Sequence, residues 1–391
     1  MISFEEAYRL MMDAAEPAGE KEMVPLLESG GRVLAEDISS DIDMPPFNKS
    51  AMDGFACRQK DVDEPLEIIE TIAAGQQPEK PIGPGQCSRI MTGAVVPEGA
   101  DTVVMVEHTE TRDGRMTVTR KSGKANICFR AEDVARSDLV LEKGTRIDAP
   151  EAAVLAAVGR STVPVSRRPV LGIIATGSEL VEPDRKPHSA GIRNSNSYQL
   201  SVQIESAGLE ARYLGIAGDS PDAIAGVLDE NMEKVDIFLL SGGVSMGEYD
   251  FVPGVLKGRG YDLLFEKVAI KPGKPTVFGK GEGGYVFGLP GNPVSTFIIF
   301  EIFVKPFCFS LMGTEYRPRR ITAALAEEFT RRKTTRRSHI PVRLLDDGRA
   351  QVIEYHGSAH IHAYTLADGF ITVPVGTGRI EKGSEIDVTL I

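Results

Sequence analysis

Between about residues 170 and 300, short apolar runs alternate with segments that carry helix start and stop signals. Ser220 followed by Pro221 predicts a helix N-terminus, and Gly208 predicts the end of another helix. The predicted strands cover residues 170–175, 211–217, 236–240, 268–270 and 285–289. Strand, loop and helix at this spacing predict a doubly wound parallel sheet, which binds ligands at the carboxyl ends of its strands.

The rest of the chain differs in texture from this α/β region. Residues up to about 43 are predicted to be helical, beginning at a helix capped by Ser3, and residues 150–158 are predicted to be helical again. The Gly- and Pro-rich stretch 45–140 predicts an inserted β-rich domain, and the residues after Pro318 predict a small barrel or sandwich. The expected fold is therefore α/β multidomain, with boundaries at 1–44 plus 141–168 (helical linker), 45–140 (β-rich), 169–315 (doubly wound α/β) and 316–391 (C-terminal β-barrel).

Composition and charge narrow the functional classes. The 391 residues carry a formal net charge of −12, which argues against non-specific nucleic-acid binding. Four scattered cysteines fit a reduced protein, and no signal segment is present at the N-terminus, so a cytoplasmic location is expected. The most apolar stretch, residues 297–312, is interrupted by Glu301, Lys305 and Pro306, which favours a buried helix over a membrane span.

Five polar or Gly-rich loops are predicted at one edge of the sheet, at residues 176–179, 218–220, 241–250, 271–274 and 288–293. Glycine lets backbone N–H groups approach an anion, so this edge predicts a site for a phosphate-bearing ligand. The same loops carry the carboxylates Glu179, Asp219, Glu248 and Asp250. Carboxylates beside a phosphate predict a bridging hard cation, for which Mg²⁺ is the natural choice. Lys271 and Lys274 are expected to bind a second anion.

A second reading of the same edge is a serine hydrolase. Gly243-Val244-Ser245-Met246-Gly247 fits the nucleophile-elbow pattern after a strand, with Ser245 as the nucleophile. A triad would also need Asp and His downstream, and His339 lies in a region assigned to another domain. Two other patterns are discounted. The glycines at 279, 281 and 284 are expected in a hairpin turn, and the loop at 271–276 lacks the first Gly of a Walker A motif.

Taken together, these segments resemble the molybdopterin molybdenumtransferase family of the MoeA type, which includes the E domain of gephyrin. The motifs that carry the resemblance are Pro45-Pro46-Phe47, Ser50-Ala51-Met52-Asp53-Gly54, Thr92-Gly93-Ala94, Gly99-Ala100-Asp101, Glu132-Asp133, Thr176-Gly177-Ser178-Glu179-Leu180, Asn194-Ser195-Asn196, Ser241-Gly242-Gly243, Lys271-Pro272-Gly273-Lys274-Pro275 and Leu289-Pro290-Gly291-Asn292-Pro293. So many motifs in the same order, over nearly the whole chain, make the resemblance to this family specific.

The resemblance implies an enzyme of molybdenum cofactor biosynthesis with a molybdopterin-binding, adenylyltransferase-like central domain. Such an enzyme takes adenylylated molybdopterin and molybdate (or tungstate), uses Mg²⁺, inserts the metal and releases AMP. Family members are homodimers, for which the helical linker would serve dimerisation, and the molybdopterin adenylyltransferase is an expected partner. No nucleic-acid or membrane partner is expected. A non-catalytic scaffold of the gephyrin kind is the remaining alternative.

The resemblance also implies residue roles. The expected catalytic residues are Asp53, Thr92, Asp133, Glu179 and Asp250. The expected substrate-binding residues are Thr176, Gly177, Ser195, Asp219, Ser241, Gly242, Gly243, Ser245, Lys271, Lys274, Pro290, Gly291, Asn292 and Pro293. Metal binding is expected at Glu179, Asp219 and Asp250. The chain departs from the family pattern at Ser178, where Asp is usual, at Ala131, where Gly is usual, and at Arg136-Ser137, which replaces a Gly-containing pair.

Overall fold

The computed structural model describes residues 1–17, 19–121, 123–244, 250–354, 357 and 359–391. The chain forms two compact units. The first unit comprises Met1–Glu22, Gly31–Ala35 and Val165–Ile391, and the second comprises Met23–Gly30 and Glu36–Pro164.

The chain begins with one helix and continues in short strands. The elements are α1 (Phe4–Asp13), β1 (Lys21–Pro25), a 3₁₀ turn (Leu26–Glu28) and β2 (Ile38–Ser39). Ser3 caps α1 by accepting a hydrogen bond from Glu6 N, and Ala7 and Met11 of α1 are buried in a core of the first unit. The prediction of helix up to residue 43 is therefore wrong after Asp13. Pro17 and Gly19, which disfavour a helix, interrupt the chain there.

The second unit is β-rich. Its elements continue with β3 (Lys49–Ser50), β4 (Gly54–Cys57), β5 (Leu66–Ile72), β6 (Gln86–Ile90), β7 (Thr102–Met105), β8 (Thr109–Arg112), β9 (Arg115–Val118), β10 (Ile127–Cys128), β11 (Leu139–Leu141), α2 (Ala149–Ala157) and β12 (Thr162–Ser166). Six of these strands form one sheet in the order β7-β4-β6-β5-β9-β8. Asp148 and Glu151 form a capping box at the start of α2.

The α/β region follows in the first unit. Its elements are β13 (Val170–Thr176), β14 (Leu180–Val181), β15 (Ile192–Arg193), α3 (Asn196–Ser206), β16 (Glu210–Ala217), α4 (Pro221–Asn231), β17 (Ile237–Ser241), α5 (Val252–Gly258), β18 (Asp262–Phe265), β19 (Ile270–Lys271), β20 (Val277–Gly281), β21 (Gly284–Leu289), α6 (Pro293–Ile299), a π-helical turn (Phe300–Val304) and α7 (Lys305–Leu311). The main sheet has the order β16-β13-β17-β21-β20-β18. The first four strands are parallel, and β20 pairs antiparallel with both β21 and β18, so the sheet is mixed.

Helices cover both faces of this sheet. Ile173 of β13 packs with Leu200 of α3 in one core, and the next residue, Ile174, packs with Leu228 of α4 in another. Successive side chains of a strand point to opposite faces, so a strand buried on both sides needs an unbroken apolar sequence. This requirement explains why β13 and β17 were recognisable as apolar runs.

The C-terminal region is β-rich. Its strands are β22 (Arg320–Ala324), β23 (Phe329–Thr330), β24 (Arg337–Leu344), β25 (Ala350–Val352), β26 (Gly369–Val373), β27 (Arg379–Ile380) and β28 (Glu385–Leu390), with a 3₁₀ helix at Ile361–Leu366. The main sheet has the order β19-β24-β26-β28-β22, and β25 pairs with β24. The barrel stays a prediction. One expectation is wrong, because β19 pairs with β24 and not with the central sheet, so the loop at 271–274 is not one of that sheet's strand ends.

The helical stretch Pro293–Leu311 is the one candidate for a membrane span among the described residues. The most apolar 18-residue window of this helix has a mean hydropathy of 1.7. However, 72% of its most apolar window is buried inside the protein, where Phe300, Phe303 and Phe307 join the core of the first unit. Its burial is typical of a core helix, which is the role predicted for it.

His339 of β24 predicts a pH dependence of stability. The side chain is 1% exposed, and this burial, with the charge of Arg337, lowers its pKa to about 3. The unfolded chain binds a proton near pH 6.5, whereas the folded chain does not, so folding weakens as the pH falls below that value. Between pH 7 and pH 5 we expect a loss of about 2 kcal/mol in the free energy of unfolding. Urea unfolding at each pH measures this loss, and NMR of the ring checks that His339 stays neutral. A folded-state pKa near 6.5 would contradict the prediction.

Candidate functional site

A cavity of about 630 Å³ lies at the carboxyl ends of the parallel strands of the first unit. Its lining includes Thr176 at the end of β13, Ser241 at the end of β17 and Pro290 directly after β21. After β13 the chain forms β16 on one side of it and β17 on the other, so the strand order reverses there. Open α/β sheets bind their ligands at such a switch point. We therefore take this cavity, called the switch-point cavity below, as the candidate site.

The structure brings most of the predicted α/β site residues together in this cavity. The predicted residues that line it are Thr176, Gly177, Glu179, Ser195, Asp219, Ser241, Gly242, Gly243, Asp250, Pro290, Gly291, Asn292 and Pro293. They come from loops that are far apart in the sequence. What the structure shows is their shared location, and their roles remain predictions.

Lys271 and Lys274 are not among the described residues that line the switch-point cavity. Pro275 of the same loop does line it. Lys271 instead lines a cavity of about 880 Å³, whose described lining also includes the cations Arg331, Arg332 and Lys333 and the acids Glu327, Glu328 and Glu354. This position follows from the pairing of β19 with the C-terminal sheet.

Three predicted residues belong to the second unit. Asp53 Oδ1 accepts hydrogen bonds from Thr92 N at 2.7 Å and from Thr92 Oγ1 at 2.8 Å. These bonds, with the charge of Arg89, hold the pKa of Asp53 below its usual value, so the carboxylate is charged at neutral pH. Asp133 is exposed, and its backbone N donates to Met44 O at 3.1 Å. The predicted Ser245 lies outside the described residues, as does Glu248.

Hydrogen bonds from α3 tie the loops of the switch-point cavity together. Asn196 Nδ2 donates to Ser241 Oγ and to Gly291 O, each at 2.8 Å. Asn196 thereby joins the first residue of α3 to the strand ends of β17 and β21. The predictions did not assign Asn196, or Arg193 three residues before it, to the site, although both line the cavity. The available signal was the Asn-Ser-Asn triplet before a predicted helix, because Asn favours helix starts.

Two of the glycines serve close packing and do not leave N–H groups available for an anion. Gly177 N donates to Ala217 O at 3.2 Å, and Gly242 N donates to Leu289 O at 3.0 Å. A Cβ on Gly242 would lie 2.5 Å from Thr176 O, and a Cβ on Gly177 would lie 2.5 Å from Glu179 Oε2. These glycines therefore let strand ends and a carboxylate approach one another. Any anion in the cavity would have to be bound by groups other than these two N–H groups.

Comparisons with known proteins identify the family. Residues 2–159 match the MoeA N-terminal region (domain I and II), residues 172–309 match a probable molybdopterin binding domain, and residues 322–391 match the MoeA C-terminal region (domain IV). The molybdopterin molybdenumtransferase of Bacillus subtilis (strain 168) is 38% identical over 389 residues, covering 95% of this chain and 90% of the relative. The chain belongs to the molybdopterin molybdenumtransferase family. It is accordingly a transferase of molybdenum cofactor biosynthesis, which confirms the family predicted from the motifs.

Other relatives agree with this assignment. The molybdopterin molybdenumtransferase of Staphylococcus aureus (strain MRSA252) is 36% identical over 378 residues, with 94% of this chain and 90% of the relative covered. The crystal structure of the molybdopterin biosynthesis moeA protein from Pyrococcus horikoshii OT3 has a TM-score of 0.88 at 31% identity, with 100% of both chains covered. The fold of the chain is therefore the fold of this molybdenumtransferase family.

The departures from the family pattern have local structural consequences. Ser178 N donates to Asp219 Oδ2 at 2.7 Å, and Asp219 N donates to Ser178 Oγ at 3.2 Å, so this pair links the loops after β13 and β16. Ala131 and Ser137 have φ angles of 59° and 76°. Only glycine adopts such angles without cost, so the conformation of each of these non-Gly residues costs about 1–2 kcal/mol.

The acids of the switch-point cavity are compatible with a Mg²⁺ ion whose remaining coordination positions are filled by the phosphate oxygens of a bound ligand. Among the described residues, no group of three His, Cys, Asp or Glu side chains could hold a metal ion by itself. Glu179, Asp219 and Asp250 line one cavity without forming such a group. Mg²⁺ usually takes only one or two protein carboxylates and completes its shell with water and phosphate oxygens. The carboxylate chemistry of this family member is compatible with that arrangement.

The two alternative functions receive no support. His339, the histidine considered for a triad, is buried in β24 with Nδ1 3.2 Å from Thr372 Oγ1, and it does not line the switch-point cavity. The relatives named above are transferases, so neither a hydrolase nor a scaffold explains the comparisons.

Proposed function

We propose that the chain inserts molybdate into adenylylated molybdopterin, with hydrolysis of the phosphoanhydride and release of AMP. The observation that carries this proposal is the switch-point cavity, whose described lining, except for Ala359, lies in the region matching a probable molybdopterin binding domain. Its volume of about 630 Å³ is in the usual range of small-molecule sites. Tungstate is a tetrahedral dianion like molybdate, so it is the expected alternative substrate.

The chemistry creates negative charge that the site must compensate. Water adds across the phosphoanhydride, AMP leaves with one phosphate, and the other phosphate stays on the pterin. Mg²⁺, held by one or two of Glu179, Asp219 and Asp250, would supply positive charge to these phosphates. In this proposal Lys271 and Lys274 bind the metal oxyanion. For Lys271 this is supported by its cavity, whose described lining holds four cations, Lys271 included, against three acids.

We further propose that the active protein is a homodimer and that residues 1–44 with 141–168, 45–140, 169–315 and 316–391 are its domains. Asp53, Thr92 and Asp133 would then act on the substrate bound by the partner copy. Two hydrogen bonds from Thr92 fix the charged carboxylate of Asp53 in one orientation, which suits a group that must be positioned against a substrate. The molybdopterin adenylyltransferase would deliver the substrate.

The proposal predicts AMP release that depends on molybdate. Purified protein given adenylylated molybdopterin, molybdate and Mg²⁺ should release AMP, measured by chromatography. Glu179→Ala should lower the rate about 100-fold, because it removes a carboxylate from the cavity lining. Glu205→Ala is the matched control, since Glu205 is an exposed acid of α3 outside the cavity lining.

The same assay tests the dimer. Asp53→Ala protein and Glu179→Ala protein should each release AMP at a strongly reduced rate alone, and mixing them should restore part of the release, because mixed dimers contain one intact site. Absence of AMP release from the wild type, or equal rates for Glu179→Ala and Glu205→Ala, would overturn the proposed reaction. Two impaired variants whose rate does not rise after subunit exchange would overturn the shared site.

A further inference from the structure

The charge of the switch-point cavity leaves its binding of an anion unexplained. Its described lining contains the carboxylates Glu179, Asp219 and Asp250, and Arg193 is the single cation in that part of the lining. The N–H groups of Gly177 and Gly242 already have backbone partners. A phosphate that enters this cavity therefore needs a positive charge from the chain itself, in addition to any ion that accompanies it.

Arg193 is held so that one end of its guanidinium is fixed. It lies in β15, which pairs in parallel with β14, and Val181 is its partner in the register. Arg193 Nε donates to Pro183 O at 3.0 Å and to Arg185 O at 3.2 Å. These bonds use the inner nitrogen alone, and the two terminal nitrogens have no partner among the described residues. A guanidinium presents its terminal nitrogens as a fork that matches two phosphate oxygens.

The residue after Arg193 fixes the backbone beneath this side chain. Asn194 is 2% exposed, its N donates to Val181 O at 2.9 Å, and its Nδ2 donates to Tyr213 OH at 2.9 Å. Tyr213 OH in turn donates to Glu182 Oε1 at 2.6 Å. The position of Arg193 at the cavity is thus determined by bonds to β14, to β16 and to the loop after β14.

We propose that Arg193 binds the phosphate of the adenylyl group and determines that the cavity takes a phosphorylated ligand. This inference rests on the proposed function, because it assigns the phosphate to AMP. Bidentate contact with a phosphate suits arginine specifically, whereas lysine would supply only a point charge. Arg193 therefore acts on affinity for the phosphate and not on affinity for the adenosine part.

Calorimetric titration with AMP tests the assignment. Arg193→Gln should weaken AMP binding about 10- to 100-fold, because it removes a charge-assisted pair of hydrogen bonds. Arg193→Lys should lie between Arg193→Gln and the wild type. Arg185→Gln is the matched control, because Arg185 is an exposed cation of the loop between β14 and β15 and does not line the cavity. Adenosine and molybdate, titrated separately, should bind all four proteins equally.

Outcomes separate this inference from the proposed function. If wild type and Arg193→Gln bind AMP equally, or if adenosine loses as much affinity as AMP, the assignment of Arg193 is wrong while the proposed reaction stands. If Arg193→Gln weakens molybdate and not AMP, the residue binds the metal oxyanion and the assignment is again wrong. If the wild type does not bind AMP, the proposed function fails, and inorganic pyrophosphate replaces AMP in the same comparison. Equal pyrophosphate affinities of the wild type and Arg193→Gln would then overturn Arg193 as a phosphate ligand.

Circular dichroism confirms that each variant is folded.

Discussion

Replacing Gly242 with alanine is expected to destabilise the first unit by about 3–5 kcal/mol and to abolish AMP release. Gly242 follows β17 directly and has a φ angle of 105°, which L-residues rarely adopt. An added Cβ would lie 2.5 Å from Thr176 O and 2.7 Å from Thr176 Oγ1. Thr176 ends β13, which is paired on both sides by β16 and β17, so its carbonyl oxygen cannot move without displacing the sheet. The free energy of unfolding from urea denaturation measures the effect.

Gly291→Ala is the matched control for folding. Gly291 lines the same cavity, but its added Cβ would meet only Gly242 Cα, at 3.8 Å. This is an ordinary contact distance, so the expected change in the free energy of unfolding is within about 1 kcal/mol. Equal urea midpoints for the two variants would show that the strand ends of β13 and β17 are not as closely packed as described.

The parallel core of the fold was predictable because burial and helix capping each require a recognisable local pattern in the sequence. Strands β13 and β17 are buried on both faces, so their sequences are unbroken apolar runs, and Ser220 with Pro221 starts a helix by local hydrogen bonding. The sheet that β19 joins was not predictable in the same way. Ile270 is buried in either sheet, and only its pairing with β24, which follows in sequence by more than 60 residues, decides which sheet it joins.

The site residues that directly follow strands were predictable from the sequence. Those brought to the cavity by the segment between β14 and β15 were not. The acids Glu179, Asp219 and Asp250 follow predicted strands, so topology alone places them at one edge. Arg193 comes after a polar stretch without periodicity, and only the pairing of β15 with β14 brings it to the cavity. The bonding of the Gly177 and Gly242 N–H groups could not be read from the sequence for a related reason, because their hydrogen-bond partners belong to other strands.

Asp219→Asn is expected to lower the rate of AMP release about 100-fold with little loss of stability. Asparagine keeps an oxygen that can accept the hydrogen bond from Ser178 N, and the backbone N of residue 219 can still donate to Ser178 Oγ, so the link between the two loops survives. What disappears is one negative charge in the cavity lining. If that charge attracts Mg²⁺, the Mg²⁺ concentration needed for half-maximal release should rise as well.

Asp222→Asn provides the comparison, because Asp222 is an exposed acid in the first turn of α4 and does not line the cavity. The two variants remove the same charge only three positions apart, so general electrostatics predicts similar effects for both. A role in the site predicts a large effect for Asp219 alone. Equal Mg²⁺ dependence in both variants would remove Asp219 from the cation site and leave its reciprocal hydrogen bonds with Ser178 as its whole function.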